Sequence, residues 1–466
     1  GRKSEVEHLR DWENRTDGSF LSVVYGRRRI GKTRLIEEAF SKGELLVFEG
    51  VEGQPTSYQQ AHFLDQLADI SGRSEYRLIK TNKWTDLLIL LSKYIAEEYG
   101  ERPVTVLFDE FPWMAAERTK LVSSLKYVWD RHFTKNNRVH LVLCGSVCSF
   151  LVKKVVRSRA LYGRVDLELR LGPLEIPEIQ GVFRPNRSLR EITELYMAVG
   201  GVPKYLEMVD AKVSTHRNLA KLCFDSYGYL VEEFDRLFAS HFGTNPVYKK
   251  IISHLALKAW STRDQLTKAT DLASGGGLTD CLEDLELAGF MERYNPVDKP
   301  NSKRIVRYRL TDPYLRFYFR FIEPSLTEIR KNKAQVAFTR YAPQSKYAVW
   351  CGLAFEHLCL SHHRLLAKEL GFSSVRYRCG SWFSQKKDGA KTQIDLLFYR
   401  DDRVITLCEI KFCDEPIGKA VIAEVEKKRI ALPNPKKHTI ETVLISASHA
   451  TSALVREGYF NRIVGL

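Results

Sequence analysis

The sequence predicts an α/β protein of several domains: a three-layer α/β domain, a helical region, a helix-turn-helix with a hairpin, and a closing α/β module. Three observations carry this expectation. Apolar runs bounded by polar residues, the pattern of buried parallel strands, recur at 20–25, 44–50, 104–108 and 139–144 and alternate with helical stretches. From about 177 to 242 helical periodicity replaces them. The chain has 466 residues, more than one core holds at roughly 100–200 residues per domain.

The elements follow in order. The first domain is expected over 1–174, with a helix opening at Lys32 after a Gly-rich turn. A helical part is expected over 175–243. Over 244–322, Thr262 can cap a short helix, Gly275-Gly276-Gly277 breaks the chain, and 278–288 has helical apolar spacing ended by Gly289. Segments 290–294 and 305–310 read as two strands around a loop rich in Pro, Asn and Lys. Three helices and a hairpin are the outline of a winged helix. A variable linker is expected over 323–344. The tail, 345–466, starts within a helix spanning 344–370. It continues with strands at 374–377, 392–399 and 404–412, a helix over 418–430 and a strand at 442–445.

Composition narrows the function classes. Hydrophobic residues make up 44% and charged residues 28%, which fits a soluble globular chain. The net charge of +15 favours an acidic polymer partner, DNA above all, the alternative being a basic but ordinary enzyme. Nine scattered cysteines without zinc-ribbon spacing point to a reduced, cytoplasmic setting. No leader is expected after Gly1-Arg2-Lys3, and the run 139–152 is too short to span a bilayer, so no membrane segment is expected.

Gly26-Arg27-Arg28-Arg29-Ile30-Gly31-Lys32-Thr33 fits GxxxxGK[ST] between a strand and a helix, with Arg34 following. Glycine lets backbone N–H groups turn inward around phosphates, and the helix N-terminus adds positive charge. Lys32 is expected on the β- and γ-phosphates of ATP and Thr33 on Mg²⁺. Val104-Thr105-Val106-Leu107-Phe108-Asp109-Glu110 places two acids at the end of a buried strand. Asp109 is expected to hold Mg²⁺ through water and Glu110 to polarise the attacking water. Ser146, ending a further strand, is expected to sense the γ-phosphate, the alternative being a plain strand end. Arg164 is expected either as an arginine finger, in cis or from a neighbouring copy, or as a structural or nucleic-acid-facing arginine.

Gly1-Arg2 with Glu5, the P-loop, Phe108-Asp109-Glu110, Cys144-Gly145-Ser146, Gly163-Arg164 and Gly200-Gly201-Val202-Pro203 stand in a familiar order. In this the chain resembles the archaeal-type ATPases, a branch of the AAA+/STAND P-loop proteins, over nearly its whole length. The resemblance implies a P-loop NTPase core, a helical lid, a winged helix and a C-terminal nuclease-like domain. It also implies that Gly1-Arg2 lies near the adenine and that Val202-Pro203 belongs to the lid closing on the nucleotide.

A second set of reactive residues lies in the tail. Glu409 and Lys411 are two apart in one strand and so share a face, and hairpin pairing puts Asp395 opposite that face. Two close carboxylates do not both ionise cheaply, and a divalent cation removes that cost. Asp395, Glu409 and Lys411, with Glu356 on the preceding helix, resemble the PD-(D/E)XK nucleases. The resemblance implies a restriction-endonuclease-like fold. It also implies a Mg²⁺ site of Asp395, Glu409, Glu356 and the Ile410 backbone, supported by Gln393, with Lys411 orienting the nucleophile. A surface ion-pair group is the alternative.

Three further groups carry less. Cys351, His357, Cys359, His362 and His363 read as buried thiols and exposed histidines rather than a zinc site. Lys299, Lys303, Arg304, Arg307 and Arg309 suit either a DNA-contacting wing or a hairpin used for packing, and Lys386, Lys387 and Lys391 could neutralise DNA phosphates. The expected function is ATP binding and hydrolysis coupled to a Mg²⁺-dependent DNA nuclease. The alternatives are a nucleotide-switched DNA-binding regulator with a silent nuclease fold, and a STAND-like sensor with a protein trigger that forms homo-oligomers.

Overall fold

The computed structural model describes residues 1–465 apart from 15–17, 42, 116–119, 136–137, 184–185, 273–274, 303–304, 332–337 and 385–391. Lys303, Arg304, Lys386, Lys387 and Lys391 therefore lie outside the described residues. No helix among those described is long and apolar enough to cross a membrane.

The chain forms two compact units with interleaved segments. The first comprises Gly1–Glu178, Gly201–Glu207 and Thr279–Gly289, and the second comprises Ile179–Gly200, Met208–Leu278 and Phe290–Leu466. This differs from the expected five-part division. Residues 201–207 and 279–289, expected in the lid and in the helix-turn-helix, pack with the first unit. Polar contacts explain this: Lys153 bonds Asp284 at 3.0 Å, and Arg170 bonds the Glu286 carbonyl at 2.8 Å.

The first unit is built on a five-stranded sheet of order β2-β3-β4-β1-β5. Its strands are β1 (Phe20–Tyr25), β2 (Glu44–Glu49), β3 (Val104–Asp109), β4 (Val139–Gly145) and β5 (Leu167–Arg170), all parallel. Every residue of β1, β3 and β4 is buried, so both faces of the sheet are covered. The edge strands β2 and β5 alternate instead. Strand β1 delivers the P-loop at its C-terminal end; adjacent β4 delivers Ser146, and β3, one strand further on, delivers Asp109 at theirs. Ends of parallel strands beside such a crossover are where ligand sites form in open α/β sheets.

In the second unit a three-stranded sheet of order β6-β8-β7 consists of β6 (Ser261–Thr262), β7 (Met291–Tyr294) and β8 (Arg307–Leu310). Helices Pro246–Ala256 and Arg263–Thr270 precede its hairpin, and Thr262 caps the second with a capping box. The next helix, Gly276–Leu287, belongs mostly to the first unit and carries Asp280, Glu283, Asp284 and Glu286 and no Lys or Arg.

The tail holds the other sheet, order β13-β12-β11-β10-β9. Strands β9 (Tyr377–Phe383), β10 (Gln393–Arg400) and β11 (Val404–Lys411) run antiparallel in succession. Helix Ala420–Ala431 then crosses over, and β12 (Thr439–Ser446) and β13 (Arg462–Gly465) continue in parallel. Strand β9 starts where the strand expected at 374–377 was to end, and β5 and β13 were not expected.

Two further expectations are corrected. The linker 323–344 contains helices Leu326–Lys331 and Phe338–Tyr341. Phe338 stacks on His216 with ring centres 4.6 Å apart, and Tyr341 on Phe224 at 5.1 Å, so this segment is anchored by aromatic packing. The histidines expected to be exposed, His357, His362 and His363, are half-buried, and His363 bonds the Tyr377 hydroxyl at 2.9 Å. Cys351 and Cys359 are buried free thiols.

Candidate functional site

The P-loop of the first unit turns through two left-handed residues, Arg29 (φ 68°) and Gly31 (φ 84°). Gly31 is the N-cap of helix Lys32–Ala39, so the turn aims that helix's first N–H groups into the loop. A side chain at Gly26 would meet the Leu171 carbonyl at 2.4 Å. The Lys32 ammonium is only 6% exposed and donates to the carbonyls of Gly26 at 3.1 Å and Arg27 at 3.2 Å. It is therefore buried, held by neutral acceptors, and its charge suits an anion.

Around the loop the structure gathers most of the expected residues. Thr33 Oγ1 donates to Asp109 at 2.7 Å, a pair of hard oxygens that fits a divalent cation. Glu110, in a left-handed conformation (φ 46°), accepts from the Ser146 hydroxyl at 3.1 Å and from the Ser146 N–H at 3.3 Å. Arg2 donates to the Ile30 carbonyl at 3.3 Å and to the Gly172 carbonyl at 2.6 Å. Pro203 is the nearest neighbour of the Gly31 Cβ position, at 3.8 Å. Tyr205, two residues on, accepts from buried Arg27 at 3.1 Å. Arg34 points outward, 3.7 Å from Glu207.

Arg164 is placed elsewhere. Its guanidinium grips Asp130 through two bonds of 2.7 and 2.9 Å and also bonds the carbonyls of Ala160 and Tyr162. The pairing holds the Asp130 carboxyl below its usual range. Arg164→Ala is expected to lower stability by about 1 kcal/mol, the scale of a partly exposed ion pair. A finger would cost roughly 10³-fold or more in turnover. ATP turnover of this variant within about threefold of wild type supports the structural role, and a finger-sized loss contradicts it.

The second cluster lies on β10, β11 and two helices of the tail. Leu396 pairs with Cys408, and that register continued puts Asp395 beside Glu409. The β9–β10 pairing slips between Ile394 and Leu397, an irregularity of the kind that re-aims a side chain. Asp395 and Glu409 are 8% and 1% exposed. Lys428, on helix Ala420–Ala431, reaches both, at 3.7 Å from Asp395 and 2.5 Å from Glu409. Lys411 lies 3.1 Å from Glu409 and 2.8 Å from Glu424. Gln393 donates to Asp395 at 3.2 Å and to Glu356 at 3.5 Å. Ile410, between Glu409 and Lys411, is buried.

Burial, then Asp395, pushes the Glu356 carboxyl up to about 8. Burial also raises Asp395, with Lys428 opposing. Burial would lower Lys411, but its bonds to Glu424 and Glu409 prevail and hold it above its usual value, so it stays an ammonium donor. Because folded Glu356 binds its proton more tightly than the unfolded chain does, its contribution to stability is full below the ordinary carboxylate range and is lost as pH rises toward 8. Thermal melts from pH 5 to 9 should show Glu356→Gln flattening this decline, with a gain of about 1–2 kcal/mol, a few degrees, at pH 9. Parallel wild-type and variant curves would contradict the shift.

Lys428 and Glu424 were not singled out in the sequence. Their signal is an i, i+4 acid–base pair on the helix after the Glu-x-Lys strand, which puts both on one helical face. Among the described residues no group of three or more His, Cys, Asp or Glu is arranged to hold a metal. The residues nonetheless suit one in a specific sense: the two buried carboxylates already share one cation, the Lys428 ammonium.

Of the hairpin arginines, Arg307 and Arg309 are engaged in packing and an ion pair. Arg307 lies over Trp260 at 3.9 Å and over Phe383 of β9 at 5.4 Å, and Arg309 is ion-paired with Glu292. Contacts of this kind tie the hairpin to the tail.

Comparison with known proteins adds to this geometry. Residues 1–209 match the family model described as an ATPase domain predominantly from Archaea. Residues 318–430 match the model described as Archaea bacterial proteins of unknown function. An uncharacterized protein of Methanocaldococcus jannaschii is 26% identical over 415 residues, 89% of this chain and 87% of that protein. Among solved structures, the Walker-type ATPase of Pyrococcus abyssi is similar with a TM-score of 0.48 at 19% identity, over 69% of this chain and 95% of that one. The ORC2 protein of Aeropyrum pernix, in ADPNP–ADP complexes, gives 0.43 at 16% identity, over 71% and 94%.

Proposed function

We propose that this chain, whose residues 1–209 match a family of ATPase domains, binds and hydrolyses ATP at Gly26–Thr33 and uses the nucleotide state to control a phosphodiesterase site in its tail, with DNA as substrate. The observation that carries the second half is the convergence of buried Asp395 and Glu409 on one cation beside Lys411. Burying two carboxylates side by side costs several kcal/mol unless a positive partner is present, and such arrangements cluster at functional sites.

In the nucleotide site the Lys32 ammonium leaves two carbonyls for the β- and γ-phosphates, and the helix N-terminus receives the remaining charge. Thr33 and Asp109 would hold Mg²⁺, which shields phosphate charge when bound. Glu110 orients water toward the γ-phosphate, and its bond to Ser146 couples that carboxylate to the end of β4. Pro203 and Tyr205 belong to a lid segment beside the loop.

In the tail Asp395, Glu409 and Glu356 would hold Mg²⁺ once Lys428 gives way. A bound Mg²⁺ lowers the pKa of its water and stabilises charge on the scissile phosphate. Lys411, kept protonated, donates to the nucleophile or to the phosphoryl oxygen. Water adds to phosphorus as the P–O bond to the leaving group breaks, and the water proton ends on the leaving oxygen. We read helices Pro246–Ala256 and Arg263–Thr270 and the β6-β8-β7 sheet as a winged helix used for packing, since Arg307 is stacked. A second reading, a nucleotide-switched regulator with a silent tail, is favoured by Lys428 already serving as the counter-ion.

Incubation of the full chain with duplex and single-stranded DNA, Mg²⁺ or Mn²⁺, and ATP separates the two readings. Cleavage by wild type that disappears in Asp395→Asn and Lys411→Ala supports the nuclease. No cleavage of any form under any of these conditions leaves the regulator.

A further inference from the structure

We infer that helix Leu189–Val199 acts as a strut linking the P-loop surroundings to the tail site, with Arg190 as the positioning residue at its working end. The inference rests on the nuclease reading above and names the regulation of that same site.

Both feet of the strut are fixed within the first unit. At one foot, Glu178 accepts the Arg2 N–H at 2.6 Å and the Glu175 N–H at 2.9 Å, and Arg2 itself bonds the P-loop carbonyl of Ile30. At the other, the Gly201 carbonyl accepts the Leu174 N–H at 2.8 Å, and Pro203 follows beside Gly31. A change in P-loop conformation is therefore felt, through hydrogen bonds and packing, at the residues that precede and follow this stretch of chain.

The strut helix itself belongs to the second unit. Helix Leu189–Val199 starts with a capping box between Ser188 and Glu191, which fixes its first turn. Arg190 lies in that turn. It donates to the carbonyls of Cys413 at 2.9 Å and Ala447 at 2.7 Å and pairs with Asp414, and its guanidinium lies 4.7 Å from the centre of the Phe412 ring.

These contacts surround the residue that the tail chemistry needs. The Ala447 N–H donates to the carbonyl of Lys411 at 3.0 Å, so Arg190 is one peptide away from Lys411 along a hydrogen-bonded path. Phe412 follows Lys411 directly, and its ring packs on Phe355, the neighbour of Glu356, at 5.3 Å. Arg190 thus fixes the backbone on which Lys411 and, through Phe355, Glu356 are presented. It touches neither substrate nor metal, so its role is positioning. A guanidinium making two carbonyl bonds, an ion pair and a ring contact resists displacement more than one held by a single contact.

The test uses the full chain and hydrogen–deuterium exchange at 411–415 and 446–448, with and without a slowly hydrolysed ATP analogue and Mg²⁺. Wild type should show a change of roughly threefold or more in exchange at these amides on binding nucleotide. Arg190→Ala should bind the analogue with unchanged affinity yet lose that response, and its DNA cleavage should lose ATP dependence in kcat with KM retained. Should Arg190→Ala fold poorly, Arg190→Lys keeps the charge but forfeits the paired carbonyl bonds, and it should show a reduced response. An equal nucleotide response in the variant and wild type, or none in wild type, overturns the strut. Absence of DNA cleavage by wild type overturns the nuclease reading alone, because exchange reports on the strut without it.

Discussion

Lys32→Ala should reduce ATP turnover by roughly 10²–10³-fold, the scale of removing one preorganised electrostatic contact from a transition state. The variant is a clean probe because, among the described residues, the ammonium bonds only two backbone carbonyls, which stay partly satisfied without it. Stability without nucleotide should change by less than about 1 kcal/mol. Stability with nucleotide should differ by more. Wild type at ATP near 100 times its Kd gains about 2.7 kcal/mol by linkage, and the variant should gain little at the same concentration. Paired thermal melts and a phosphate-release assay check both halves. A variant that melts normally, gains the full ATP shift and turns over ATP would place nucleotide elsewhere.

Asp395→Asn and Lys411→Ala should each lower DNA cleavage by about 10²–10³-fold or more while ATP turnover stays within about twofold. The two substitutions act differently. Asn keeps the shape of Asp395 but removes a charge that burial disfavours, so folding should be unharmed or slightly improved. Loss of cleavage in that variant therefore has no structural excuse. Lys411→Ala removes an ammonium that neighbours Glu409 and Glu424, and only Lys428 then offsets Glu409. This variant should lose some stability, about 1–3 kcal/mol for a charge left less well paired. End-labelled DNA assayed beside phosphate release measures both activities. Cleavage that persists in either variant removes these side chains from the chemistry.

The parts of the fold that the sequence made legible share a physical cause. Strands β1, β3 and β4 are buried on both faces, so their sequences are continuous apolar runs that contrast with the helices around them. Strands β5 and β13 are short edge strands of mixed polarity, Leu-Glu-Leu-Arg and Arg-Ile-Val-Gly, and give no such contrast. The segment 323–344 reads as a linker because its anchoring residues, Ile329, Phe338 and Tyr341, are widely spaced, and their partners lie far away in sequence.

The sites follow the same rule. Gly26–Thr33 is contiguous, so its geometry is local and readable from one stretch of chain. Asp395, Glu409 and Lys411 were readable as a pair of strands, but Lys428 enters from a helix whose orientation only the fold determines. Arg307 shows why the hairpin stayed open to two readings. A cluster of basic residues on a loop looks like a solvent-facing patch until Trp260 and Phe383 are placed beneath Arg307. Arg164 is similar, because Asp130, its partner, lies on the earlier helix Lys120–Arg131.

Control of the tail by the nucleotide site can be decided by single-turnover cleavage of labelled DNA with Mg²⁺, with and without ATP, by wild type and Lys32→Ala. The coupled enzyme requires a cleavage rate in wild type that changes with ATP and a rate in Lys32→Ala that does not. Identical ATP dependence in the two proteins, or a wild-type rate indifferent to ATP, would contradict it.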